Sequence, residues 1–138
     1  MCHAILSETI LQSIPILKEE GLDFSKFIWA HADSECNIPI MIELGKLGMW
    51  IEIDSTGSIP YKKHVDLIEL LIAKGIIDRL LISQDTDWYN VGEFNGGNIR
   101  PYHKIFTEFM PMCYERGLKE KIHAIMATNP SICLDIVI

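Results

Sequence analysis

The stretch Gly48-Met49-Trp50-Ile51-Glu52-Ile53-Asp54 decides how this chain is read. A glycine closes an upstream helical pattern, a short apolar run rich in β-branched and aromatic residues follows, and a carboxylate ends it. The run at 49–53 is too short for a helix and reads as a buried strand, as in a parallel sheet. The same unit recurs on both sides. Upstream, residues 7–20 carry Ile10, Leu11, Ile14 and Leu17 at helical spacing, with Gly21 as the stop. Ser7 is the expected N-cap and Pro15 is expected to kink that helix. Phe27-Ile28-Trp29-Ala30 then reads as a strand ending in His31. A helix over 39–47 leads to the run that opened the reading. Downstream, a helix over 61–74 closes at Gly75, and a strand over 79–83 ends in Gln84-Asp85. Residues 1–4 read as the tail of a further strand, ending at His3.

A loop over 86–98, rich in Gly and Asn, precedes a helix over 101–116, in which Pro111 is expected to bend or break the chain. A last helix over 118–126 leads to a Thr128-Asn129-Pro130 turn and a hydrophobic tail. Helices alternating with short strands across short connections define an α/β fold with a parallel sheet. No linker or low-complexity segment divides the 138 residues, which read as a single domain.

Composition excludes several functions. A formal net charge of −7 argues against a nucleic-acid binder, which needs a basic face to neutralise phosphates. No apolar run approaches the roughly 20 residues of a membrane span. The first residues lack the basic segment of a signal peptide, so a cytoplasmic protein is expected. The 4 cysteines stand far apart without a CxxC pair, and are expected to be reduced and mostly buried. Cys2 and His3, adjacent on a strand, point to opposite faces and do not form a nucleophile–base pair. Gly96-Gly97 lacks the spacing of a phosphate loop. Residues 4–9 contain no glycine, which ranks a flavodoxin-like domain with a phosphate-binding first turn last.

In parallel α/β folds the carboxyl ends of the strands share one rim, where ligands bind. Here that rim carries His3, His31, Asp54 and Asp85 at intervals that each fit one helix and one strand. Imidazole and carboxylate are the donors a divalent metal such as zinc takes. Each residue alone has a plainer reading: His31 as a hydrogen-bonded strand end, Asp54 as a helix cap or a support for a ligand histidine, Asp85 or Asp87 as a turn former. Four in series favour a metal site on this rim. His64, His103 and His123 fall on expected helices and read as structural or surface residues.

Three stretches carry a family resemblance: Trp29-Ala30-His31-Ala32-Asp33, Leu81-Ile82-Ser83-Gln84-Asp85-Thr86-Asp87-Trp88-Tyr89, and Thr128-Asn129-Pro130. With the loop reaching Arg100-Pro101-Tyr102, they resemble the phosphotriesterase-like, lactonase-like branch of the amidohydrolase superfamily. The resemblance runs from His3 to the C-terminus. It implies the C-terminal half of a (β/α)8 TIM barrel, strands five to eight with their helices. It further implies His3 and His31 as ligands of one divalent metal, zinc with manganese or iron as alternatives. Asp85 would bind the second metal and accept the proton in the hydrolysis of a lactone, ester, amide or phosphoester. Asp54 would lie behind the ligands. The family's first-strand histidine pair and fourth-strand bridging Lys or Glu have no counterpart in these residues, and Ser34 and Ser55 stand where its best-known members carry Asp and His. Half a barrel leaves two strand edges open, so the expected partners beside a small-molecule substrate are a complementing N-terminal half or a second copy. The competing expectation is a catalytically inactive half-barrel that self-associates or pairs with a partner chain.

Overall fold

The computed structural model describes residues 1–86 and 88–135. Its centre is a four-stranded parallel sheet in sequence order: β1 (Cys2–His3), β2 (Ile28–Ala30), β3 (Trp50–Ile53) and β4 (Leu80–Ile82). The register pairs His3 with Ala30, Trp29 with Ile51, and Ile53 with Ile82, which brings the strand ends to a common rim. Between the strands run α1 (Ser7–Glu19), a short α2 (Ala32–Glu35), α3 (Ile38–Lys46) and α4 (Tyr61–Ala73). After β4 come α5 (Met110–Glu115), α6 (Lys119–His123) and α7 (Asn129–Leu134). None of the helices described is long and apolar enough to cross a membrane.

The core lies between the sheet and these helices, where Trp29, Ile51, Ile53 and Leu80 meet Ile10, Met41, Leu44, Ile68, Leu71, Phe109 and Ile122. Each large apolar side chain buried there contributes about 1.5–3 kcal/mol. The indole of Trp29 also donates to the carbonyl of Ala4 at 2.7 Å, fastening the end of β1 to β2. On the opposite face Ile28, Trp50 and Leu81 form a smaller cluster, with Cys133 of α7 packed against it. Arg79 stacks 4.9 Å above the Trp50 ring. Asn129 donates to the carbonyls of Ile77 and Leu80, both at 2.8 Å, and ties the start of α7 to the start of β4.

Several local expectations change. Ser7 is the first helical residue and not the N-cap, because its N–H is already taken by Glu35 at 2.6 Å and its hydroxyl accepts from Asn37 at 2.9 Å. Pro15 does not end α1, since it lies on the exposed side, where water can satisfy the freed carbonyl. Pro111 and Pro130 each follow a π-helical turn (Ile105–Phe109 and Ala124–Thr128), the wider spacing giving the ring room that an α-turn denies. Thr128-Asn129-Pro130 is therefore helical and not a turn. The helix expected from residue 101 begins later, which leaves His103 in a turn. Of the free cysteines only Cys113 is buried, and Cys36 is exposed. Asp87 and residues 136–138 of the hydrophobic tail lie outside the described residues.

Among the described residues, neither outer edge of the sheet has a strand partner. Beside β4 an open cleft of about 560 Å³ is lined by Ile82, Gln84, Trp88, Tyr102, Phe106 and Met126.

Candidate metal centre

His31 follows β2 directly and adopts a left-handed backbone, φ 64°, at the start of α2. A residue with a Cβ takes that conformation at some cost, and such strain recurs at functional sites. Asp54, the residue after β3, holds it there. One carboxylate oxygen, Oδ2, accepts from the His31 backbone N–H at 2.7 Å and stands 2.9 Å from its ring Nδ1. With Nδ1 so engaged, Nε2 faces outward. It lies 2.8 Å from Nδ1 of His3, the two rings tilted at 59° with centroids 4.8 Å apart. Burial alone would lower the His31 pKa, but the hydrogen bond and charge of Asp54, with the charges of Asp85 and Glu52, raise it above its ordinary value. The Asp54 carboxyl is pushed up by burial against the opposing pull of His31.

The donor set suits a divalent transition metal. Two imidazole nitrogens converge, and the partner nitrogen of one is oriented by a carboxylate, the arrangement that sets tautomer and basicity in metal-binding histidines. Asp85 stands at the end of the neighbouring β4 with φ 40° and an exposed side chain. Arg100 fixes the backbone there, donating to the carbonyls of Gln84 and Asp85, while Thr86 donates to the carbonyl of Arg100 at 2.6 Å. Among the described residues, no three His, Cys, Asp or Glu side chains form a metal-binding group, so Asp85 is not joined to the histidine pair.

Behind Asp54 lies a polar group that sequence reasoning missed. Asp33 accepts from the backbone N–H of Asp54 at 3.3 Å, from that of Ser55 at 3.1 Å, and from the Ser55 hydroxyl. Its side chain is only 2% exposed. Burial would raise its pKa, but the bonds from His64 and Ser55 outweigh that and hold the carboxyl below its usual range. His64, on α4, is buried rather than at the surface, with Nε2 3.7 Å from Asp33 and 3.3 Å from the Ser55 hydroxyl. A serine, a histidine and an aspartate in contact invite a nucleophile reading, which the geometry rejects. Both Ser55 and Asp33 face the same ring nitrogen, Ser55 donates directly to Asp33, and Nδ1 of His64 has no partner. A catalytic triad needs one partner on each nitrogen. The only signal in the sequence was adjacency, Asp33 two residues after His31 and Ser55 one after Asp54.

Residues 1–134 match the model of the phosphotriesterase family. The chain belongs to that family. The phosphotriesterase homology protein of Escherichia coli is 24% identical over 133 residues, covering 94% of this chain and 45% of that protein. Its crystal structure, complexed with phosphate in the active site, superposes with a TM-score of 0.78. N-acetyltaurine hydrolase of Xenopus tropicalis is 28% identical over 90% of this chain and 39% of its own length. A lactonase from Listeria monocytogenes is 20% identical with a TM-score of 0.80, covering 93% of this chain and 41% of its own. The chain thus spans less than half the length of these relatives, and its sheet is part of the phosphotriesterase TIM barrel. Hydrolases are among the family's members by name.

Proposed function

We propose that this chain supplies part of a metal-dependent hydrolase centre acting on a lactone, ester, amide or phosphoester. The observation that carries the reading is the convergence of His3 and His31 with Asp54 behind. His3 and His31 would hold one divalent ion, zinc, manganese or iron, and Asp85 would face a second. Such ions supply Lewis acidity, polarising a carbonyl or phosphoryl oxygen and making water nucleophilic near neutral pH. Asp54 keeps the His31 ring turned outward. Asp85, exposed at the rim, accepts the proton released by the attacking water. The loop from 86 to 98 shapes the substrate pocket, as loops after barrel strands do. The setting is the cytoplasm, where the four free thiols would stay reduced.

The centre requires further parallel strands against β1 and β4, supplied by more of the same polypeptide, a complementing chain or a second copy. Light scattering on the purified chain tests this. Association supports it, and a stable monodisperse monomer counts against it. Elemental analysis tests the metal, since the absence of stoichiometric zinc, manganese or iron with no uptake on reconstitution would remove it. One observation favours a second reading, an inactive half-barrel: the described residues hold no group of three metal donors. Lactone and ester hydrolysis assayed with and without added metal separates the two.

A further inference from the structure

Asp54 can orient His31 only if the chain just beyond β3 is itself immobile. That chain leaves the sheet as Asp54-Ser55-Thr56, and the first two of its N–H groups are taken by a side chain and not by a strand. Both donate to one carboxylate, Asp33, which also takes the Ser55 hydroxyl. Asp33 is carried on α2, the same short helix that His31 opens. The connection therefore closes on itself. His31 bonds to Asp54 by its backbone and its ring, and α2 bonds back to Asp54 and Ser55 through Asp33. From outside, His64 of α4 brings Nε2 to Asp33 and Ser55.

We infer that Asp33 is a positioning residue that clamps the end of β3 to α2, so that a single Asp54 oxygen meets the backbone N–H and the ring Nδ1 of His31, with His64 bracing the clamp from α4. The inference rests on the proposed metal reading only for its consequence, since the clamp itself is a property of these residues. A carboxylate buried to this degree costs several kcal/mol to desolvate unless its lone pairs are filled, and here three donors fill them with His64 Nε2 at 3.7 Å beyond. The helix that carries it has only four residues, held besides by the buried Ala32 and by Glu35, which accepts from the Ser7 N–H at 2.6 Å.

The test uses the full chain, its Asp33→Asn and Ser55→Ala variants, and Co²⁺ alone as the probe. Two quantities are read: the low-field NMR resonance of the His31 Nδ1–H bonded to Asp54, and Co²⁺ affinity from visible absorption. Asp33→Asn keeps the volume but turns an amide N–H₂ toward donors, so the resonance should be lost or broadened and Co²⁺ affinity should fall about tenfold. Ser55→Ala, which removes one donor and leaves Asp33 in place, should weaken affinity by a smaller factor with the resonance retained. If wild type binds Co²⁺ and Asp33→Asn binds it equally with an unchanged resonance, the clamp is wrong. If wild type binds no Co²⁺, the metal reading fails alone and the resonance decides the clamp: loss in Asp33→Asn upholds it, persistence overturns it. Should Asp33→Asn not fold, Ser55→Ala carries the test, and affinity and resonance both equal to wild type would overturn the inference.

Discussion

The rim above β2 and β3 and the rim above β4 are built to different standards. On the first, Asp54 and Asp33 are buried, and each carboxylate receives two or more hydrogen bonds from the ends of neighbouring elements. On the second, Asp85 is exposed, its backbone is held by the guanidinium of Arg100, and the buried Gln84 Oε1 lacks a partner among the described residues. The difference follows sheet position. β2 and β3 have neighbours on both sides, so their ends can be tied by strands and helices of the same chain. β4 has one described neighbour, so fewer elements of the chain reach its end. Preorganisation at this rim is a product of having two neighbours.

Paired substitutions can break this comparison, and a tryptophan on each side gives the largest contrast. Trp29→Ala empties a fully buried site and frees the Ala4 carbonyl, and should cost about 3–5 kcal/mol in urea unfolding. Trp88→Ala, at a residue 62% exposed, should stay within about 0.5 kcal/mol in the same experiment. Equal losses would mean that the β4 side is packed more firmly than its exposure indicates.

Carboxylates offer the next contrast. Asp54→Asn should weaken binding of the proposed first metal by about 10–100-fold, because the His31 ring loses its anionic acceptor. Asp85→Asn should leave that affinity nearly unchanged while reducing hydrolysis in the complemented protein. Isothermal titration with Zn²⁺, beside a lactone assay, measures both. A smaller effect is expected from Arg100→Ala, which releases the carbonyls of Gln84 and Asp85: faster amide hydrogen exchange over residues 84–86 and unchanged exchange at 53–55.

The smallest effect should come from a site remote from both rims. Arg116 pairs with Asp66 and Glu69 of α4, and hydrogen bonds from Lys62 and then Arg116 hold Asp66 below the usual carboxylate range. The stabilisation is present above the ordinary pKa of 3.8 and is lost as pH falls through the depressed value. Arg116→Ala should therefore flatten the acid limb of the stability profile slightly and leave metal affinity alone.

Much of the fold was legible because short apolar runs closed by glycine-terminated helices leave few arrangements other than a parallel sheet. Gly48 and Gly75 both adopt positive φ at the helix ends where the pattern placed them. His3, His31 and Asp54 were legible for the same reason, as polar residues ending apolar strands. Pro130 misled, because sequence alone does not show that a helix can widen to π-geometry before it. For His64 the sequence left a structural and a surface place both open. A histidine at helical spacing gives no sign of which face it takes until α4 is packed against the end of β3.

The order of strands and the rim that carries the imidazoles and carboxylates were therefore determined by the sequence itself, through local periodicity and the polarity of strand ends. That His3 meets His31, that one Asp54 oxygen serves two His31 nitrogens, and that Asp33 stands behind both were decided only by tertiary structure. These contacts join residues of different strands and loops, and a distance of a few ångströms between them depends on register, helix angle and rotamer, none of which is encoded within either short stretch alone.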